Sequence, residues 1–138
     1  MVKYSLVGYD SSDSSQRAFR FAMELARAGG GRVRVVSVLQ VMQGGADACC
    51  LMMTDSASQR VQELLQELRA IDPDTDKLVD LEIAHGSPGD VLLSQIRHHP
   101  IDHIVIGHTS RGTLGRWLLG SVSEDVLARA RVPVTIIR

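Results

Sequence analysis

The chain has 138 residues, 44% of them apolar and 22% charged, with Lys+Arg 15 against Asp+Glu 16 and a formal net charge of -1. These values describe one globular domain, residues 1–138, with enough apolar material for a substantial core. They argue against a nucleic-acid-binding domain, which carries a basic face, and no stretch approaches the roughly 18 apolar residues of a membrane span.

The N-terminus runs straight into a strand-like segment, Tyr4 to Tyr9, with no signal-peptide architecture, so a cytoplasmic protein without membrane insertion is expected. A helical pattern follows with Ala18, Phe21, Ala22, Leu25 and Ala26 on one face, closed by Gly29-Gly30-Gly31. Arg32 to Gln40, with Val33, Val35, Val36 and Val38, has the β-branched content of a strand. Val41 to Asp55, with Gly44-Gly45, the adjacent Cys49-Cys50 and Met52-Met53, reads as one long irregular segment, functional or mobile. The cysteines read as reduced, small apolar residues, and no metal-type spacing exists. A second helix starts at the capping box Ser56-x-x-Gln59 and carries Val61, Leu64, Leu65 and Leu68. Leu78 to His85 is the third strand. Ser87-Pro88-x-Asp90 opens a third helix with Val91, Leu92 and Ile96, ended by Pro100. His103 to Gly107 is the fourth strand. Ser121-x-x-Glu124 opens a fourth helix with Val122, Val126, Leu127 and Ala130, and Val132 to Ile137 is the last strand. Strands and helices alternating through short connections predict an α/β fold, a parallel sheet covered by helices on both faces.

The most informative segment is Gly107 to Ser121, a glycine-rich stretch between a buried strand and a helix start. Such a stretch presents backbone N–H groups and the positive end of a helix to an anion, often a phosphate. It lacks the Gly-Lys-[Ser/Thr] of a Walker A loop, and it does not follow the first strand, where a dinucleotide fingerprint belongs. Composition and spacing alone leave two readings, a phosphate nest or a flexible surface loop with Ser121 as a plain N-cap. Arg111 and Arg116 either pair with phosphate oxygens or are simply solvent-exposed. Trp117, beside Leu114, Leu118 and Leu119, suits packing better than base stacking. Asp10, followed by Ser11-Ser12-Asp13, reads as a helix-start cluster, and Val38 as a core valine.

The ordered set Leu6-Val-Gly8-Tyr-Asp10, Val35-Val-Ser-Val38-Leu, Gly86-Ser-Pro88, Gly107-x-x-Ser110-(nine residues)-Gly120-Ser121 and Val132-Pro133-Val134 resembles the universal stress protein family across nearly the whole chain. Its nucleotide-binding branch carries Gly-x-x-Gly, nine residues, Gly-[Ser/Thr]. The resemblance implies an open, twisted, five-stranded parallel sheet of order 3-2-1-4-5, Rossmann-like and of the adenine nucleotide alpha hydrolase-like kind. It implies ATP, or ADP or AMP, with the nucleoside end at Gly8, Asp10 and Val38. Asp10 would bond the ribose and Val38 would touch adenine. The phosphates would lie along Gly107, His108, Thr109, Ser110, Arg111, Gly112, Thr113, Gly120, Ser121, Val122 and Ser123. Mg²⁺ would accompany ATP near Asp10, with no metal site built from protein groups. One position departs from the pattern. Ser110 replaces the second glycine, and where that position needs φ > 0 a serine costs about 1–2 kcal/mol. Its hydroxyl can donate to a phosphate, and Gly112 can supply the lost freedom two residues on.

The function so implied is a cytoplasmic, ATP-binding stress-response protein acting as a nucleotide-dependent switch toward a regulatory partner the sequence does not name. No Walker lysine, nucleophile–base pair or metal-ligand cluster is evident, which argues against a high-turnover enzyme. Two alternatives are slow ATP hydrolysis or phosphoryl transfer, using Asp10 or Asp13 and an arginine, and a nucleotide-free interaction module, toward which Ser110 is a step. The resemblance also implies a homodimer joined through the edge strand Val132–Ile137.

Overall fold

The computed structural model of the chain describes residues 2–39, 46–107 and 128–137. Five strands, β1 (Tyr4–Gly8), β2 (Arg32–Leu39), β3 (Val79–His85), β4 (His103–Gly107) and β5 (Val134–Ile137), form one sheet of order β3-β2-β1-β4-β5. Every pairing is parallel, with Val7 opposite both Val35 of β2 and Val105 of β4. The expected α/β class, parallel sheet and strand order are all present. β4 has the expected bounds, β2 matches over its described residues, and β1, β3 and β5 are trimmed. Tyr9 falls past β1, although its N–H still donates to the Val36 carbonyl at 2.9 Å. β5 begins at Val134 rather than Val132: Pro133 has no N–H to give a ladder, but its carbonyl accepts from Ile104 N–H at 2.9 Å.

Side-chain alternation along the strands divides the core into two layers. Val7, Val33, Val35 and Val105 pack under α1 (Asp13–Gly29) and α2 (Ala46–Ile71) with Ala18, Phe19, Ala22, Met23, Leu64 and Leu68. Leu6, Val36, Val38, Ile104 and Ile106 face α4 (Pro88–His98) with Val91 and Leu92. Helices therefore cover both faces, as expected.

The helices correct the sequence reading in four places. The buried stripe of α1 is Ser15, Ala18, Phe19, Ala22, Met23 and Ala26, while Phe21 and Leu25 are only half-buried. The true stripe has the same period rotated by about one residue toward Phe19 and Met23. The stretch from Ala46 to Asp55 is not irregular; it is the start of α2, so Ser56 and Gln59 lie inside a helix rather than at its start. Past Gly45 this stretch has no glycine or proline, and its alanines, leucine and methionines are good helix formers. Residues 40–45 lie outside the described residues. A single helical turn, α3 (Thr75–Leu78), takes Leu78 from the third strand. At α4 the start is correct and proline holds a first-turn position, but the Ser87 side chain makes no cap bond; its carbonyl accepts from Val91 N–H at 2.9 Å. Residues 122–127, most of the expected fourth helix, lie outside the described residues.

The ends of α1 follow their residue chemistry. The Ser12 hydroxyl accepts from Ser15 N–H at 3.2 Å. Gly30 takes φ 69° and its N–H returns to the Ala26 carbonyl. The Asp102 carboxylate accepts from Lys3 and Tyr4 N–H at 2.8 and 3.0 Å, tying the approach to β4 to the start of β1.

Candidate functional site at the carboxyl edge of the sheet

In a wholly parallel sheet every strand ends on the same edge. The chain leaves β1 toward β2 and β3 on one side and returns to β4 and β5 on the other, so strand order reverses between β1 and β4. The crevice outside the carboxyl ends at such a switch point is where ligands bind in open α/β sheets. Gly8 ends β1, Asp10 follows it, Val38 lies next to last in β2, and Gly107 ends β4. The fold thus brings four of the expected site residues to one edge. His108, Thr109, Ser110, Arg111, Gly112, Thr113, Gly120, Ser121, Val122 and Ser123 lie outside the described residues, as do Arg116 and Trp117.

The connection from β1 to α1 is built by short polar bonds. Asp10 is half-buried, and its Oδ1 accepts from Ser12 N–H at 3.0 Å, an Asx turn. Among the described residues its Oδ2 receives no hydrogen bond, which leaves a carboxylate oxygen for a hydroxyl donor. Ser11 has φ 69°, the left-handed region, and among the described residues it is the one non-glycine there. Its Oγ donates to Glu67 Oε2 at 3.0 Å, and its carbonyl accepts from Gln16 Nε2 at 3.1 Å. The hydroxyl of fully buried Tyr9 donates to Glu67 Oε1 at 2.7 Å. Burial first, and the Glu67 carboxylate second, push the Tyr9 phenol well above its ordinary range, so it remains an O–H donor.

The packing around Gly107 shows why this position is a glycine. A Cβ there would meet the Ser14 carbonyl oxygen at 2.3 Å and Ser15 N at 2.7 Å, so the end of β4 lies directly against the first turn of α1. Val38 is a core residue, 5% exposed, in the layer under α4. Glu67 and the left-handed Ser11 were missed from sequence. Glu67 is far away along the chain, and the usual mark of a positive φ, a glycine, is not there.

Two other features lie elsewhere. Buried His103 shares bonds with Ser5 Oγ (3.4 Å) and Thr135 Oγ1 (2.7 Å), and burial holds its imidazole below the ordinary range. A cavity of about 440 Å³ lined by Leu93, Ile96, Arg97, Arg129, Ala130 and Arg131 is built from the second half of α4 and the approach to β5, toward the opposite edge. No group of three or more His, Cys, Asp or Glu among the described residues has metal-binding geometry, and no described helix is long and apolar enough to cross a membrane.

Fold and edge together define a doubly wound α/β domain whose strand order reverses between β1 and β4. The family model described as the Universal stress protein family matches residues 1–138, and the chain belongs to that family. A universal stress protein of Thermus aquaticus is 31% identical over 144 residues, covering 100% of both chains. Among solved structures, the universal stress protein UspA from Lactobacillus plantarum superposes with a TM-score of 0.76 at 22% identity over 99% of this chain and 98% of its own. The universal stress protein from Archaeoglobus fulgidus in complex with dAMP gives a TM-score of 0.67 at 24% identity, covering 100% and 98%. A family member from Arabidopsis thaliana with AMP bound gives 0.66 at 22%, covering 98% and 90%. At these identities the structural likenesses establish the fold.

Proposed function

We propose that the chain, as a single domain, binds an adenine nucleotide across the carboxyl edge of its sheet and acts as an ATP-dependent regulatory switch in the cytoplasm. The observation that carries this reading is the half-buried Asp10 at the end of β1, one carboxylate oxygen held by Ser12 N–H and the other without a protein donor among the described residues, at the β1/β4 switch point. A carboxylate so held accepts hydroxyl hydrogens, and ribose offers two on adjacent carbons. Val38 supplies apolar surface at the neighbouring strand end for adenine. The pattern beginning at Gly107 and running through Gly120, Ser121, Val122 and Ser123 supplies backbone N–H groups for the phosphates, with Mg²⁺ joining ATP near Asp10. The dAMP- and AMP-bound relatives support the nucleotide class. Calorimetry with ATP and Mg²⁺ tests the reading, and the absence of heat at millimolar nucleotide would sink it. Asp10→Ala is expected to weaken binding about tenfold, the loss of a charge-assisted hydrogen bond of ~1.5 kcal/mol. An unchanged affinity would remove Asp10 from the site.

We further propose a homodimer formed through β5, in which Val134–Ile137 adds to its copy across a two-fold axis. β5 ends the strand order, and all four of its residues are only half-buried, as an edge awaiting a cover would be. Light scattering at micromolar concentration should return the mass of two chains, and Ile136→Pro, which removes an N–H facing away from β4 on the open edge, should shift it toward one. A wild-type mass of one chain would refute the assembly.

A further inference from the structure

Ser11 adopts a backbone conformation disfavoured for any residue with a Cβ, and it does so beside Asp10. Such a conformation persists only where its surroundings over-determine it: Gln16 Nε2 donates to the Ser11 carbonyl from within α1, and the longer-range hold comes from one side chain of α2. The carboxylate of Glu67, projecting from α2, accepts Tyr9 O–H on one oxygen and Ser11 O–H on the other, at 2.7 and 3.0 Å. The two residues flanking Asp10 are thus clamped by a single group. The clamp is anchored on both sides. Tyr9 is fully buried, with its ring edge-on to Phe19 at 6.3 Å and 68°. Leu64 and Leu68, on either side of Glu67 along α2, are fully buried in the same core layer. Asp10 is tied only locally among the described residues: its N–H donates to Ser15 Oγ at 3.4 Å, and its carboxylate accepts from Ser12 N–H.

We propose that Glu67 is a positioning residue for ligand binding: by bridging Tyr9 and Ser11 it holds the left-handed turn that presents the Asp10 carboxylate at the switch-point edge. This rests on the nucleotide reading of that edge. It also makes the seating of α2 a determinant of affinity, because the clamp moves with the helix.

Removing the clamp should let Ser11 relax from φ 69° and carry Asp10 with it. Glu67→Ala is expected to weaken adenine nucleotide binding about tenfold. Glu67→Gln keeps one acceptor for Tyr9 and offers an amide donor to the Ser11 oxygen, so it should stay within about threefold of wild type. The decisive variant is Ser11→Gly in the Glu67→Ala background. Glycine takes positive φ without a tether, so affinity should recover although the hydrogen bonds remain absent. A purely structural Glu67 would lower thermal stability, leave affinity per folded molecule unchanged and gain nothing from glycine; that outcome would overturn the proposal. Amide hydrogen exchange separates this from the fate of the site reading. In nucleotide-free protein, Ser12 N–H, bonded to Asp10, should exchange about tenfold faster in Glu67→Ala, since protection follows local opening. Equal exchange overturns the clamp. A wild type that binds no adenine nucleotide would refute the site reading, and the exchange comparison would then decide the clamp alone.

Discussion

Gly107→Ala is expected to cost the fold about 3 kcal/mol, the upper end for forcing extra atoms into a packed interior, and to lower the melting temperature by roughly 10 °C for a chain of this size. The reason is what the new methyl would meet. The Ser14 carbonyl oxygen lies 2.3 Å from the ideal Cβ, its carbon 2.4 Å and Ser15 N 2.7 Å. These are backbone atoms in the first turn of α1, so no rotamer change relieves the clash; strand and helix must separate. Gly30→Ala is the control. Gly30 has φ 69° but nothing within 4 Å of its ideal Cβ, so its cost is conformational alone, about 1–2 kcal/mol. Urea titration of both variants checks the order. A Gly107→Ala protein less affected than Gly30→Ala would mean that β4 and α1 are not pressed together as described. Because the same turn carries Ser12 and the Asp10 contact, nucleotide affinity should fall with Gly107→Ala and not with Gly30→Ala.

That contact also marks where sequence reasoning stopped. The alternation of apolar strands and helical stripes was enough to yield the parallel sheet, its layers and the exact bounds of β4, because periodicity is set by which side faces a neighbour. It brought Asp10, Val38 and Gly107 to one edge, since strand ends of a parallel sheet coincide. It could not show why Gly107 must be glycine, because Ser14 is remote in the chain. The α1 stripe was misplaced by one position because Phe21 and Leu25 continue the alanine pattern as well as Phe19 and Met23 do; only the sheet beneath decides. Ala46 to Asp55 was misread because Gly44-Gly45 and the cysteine pair outweighed ten residues of ordinary helix formers. The phosphate half of the expected site, from His108 to Ser123, rests on its motif alone.

Arg34→Ala is the second large effect, also expected near 3 kcal/mol, and it arises from a network that the valine-rich reading of β2 concealed. Alternation turns Arg34 with Val36 and Val38 toward α4, where the residue is 9% exposed. Its Nε donates to Gln95 Oε1 at 2.5 Å and its Nη2 to Glu82 Oε1 at 2.6 Å, while Gln95 Nε2 donates to Glu82 Oε2 at 2.5 Å. The triangle closes on itself and joins β2, β3 and α4; Nη1 reaches Tyr4 Oη of β1 at 3.4 Å. Removing one partner of a buried ion pair costs about 3–5 kcal/mol, because the other is left desolvated. The Glu82 side chain is 39% exposed and recovers water, which places the cost at the low end. Gln95, 7% exposed, does not recover it, and its carbonyl is orphaned. The single truncation should therefore be worse than replacing the buried pair together. Arg34→Met with Gln95→Leu removes both buried polar groups, fills the space with apolar atoms and lets Glu82 turn to solvent, so its loss should stay below about 1.5 kcal/mol. Arg34→Lys should fall between, since an ammonium cannot reproduce the two-pronged donation. Denaturant midpoints for the three variants test the order, and a double variant as unstable as Arg34→Ala would show that the triangle stabilises the fold through its own bonds rather than by satisfying groups the fold has already buried.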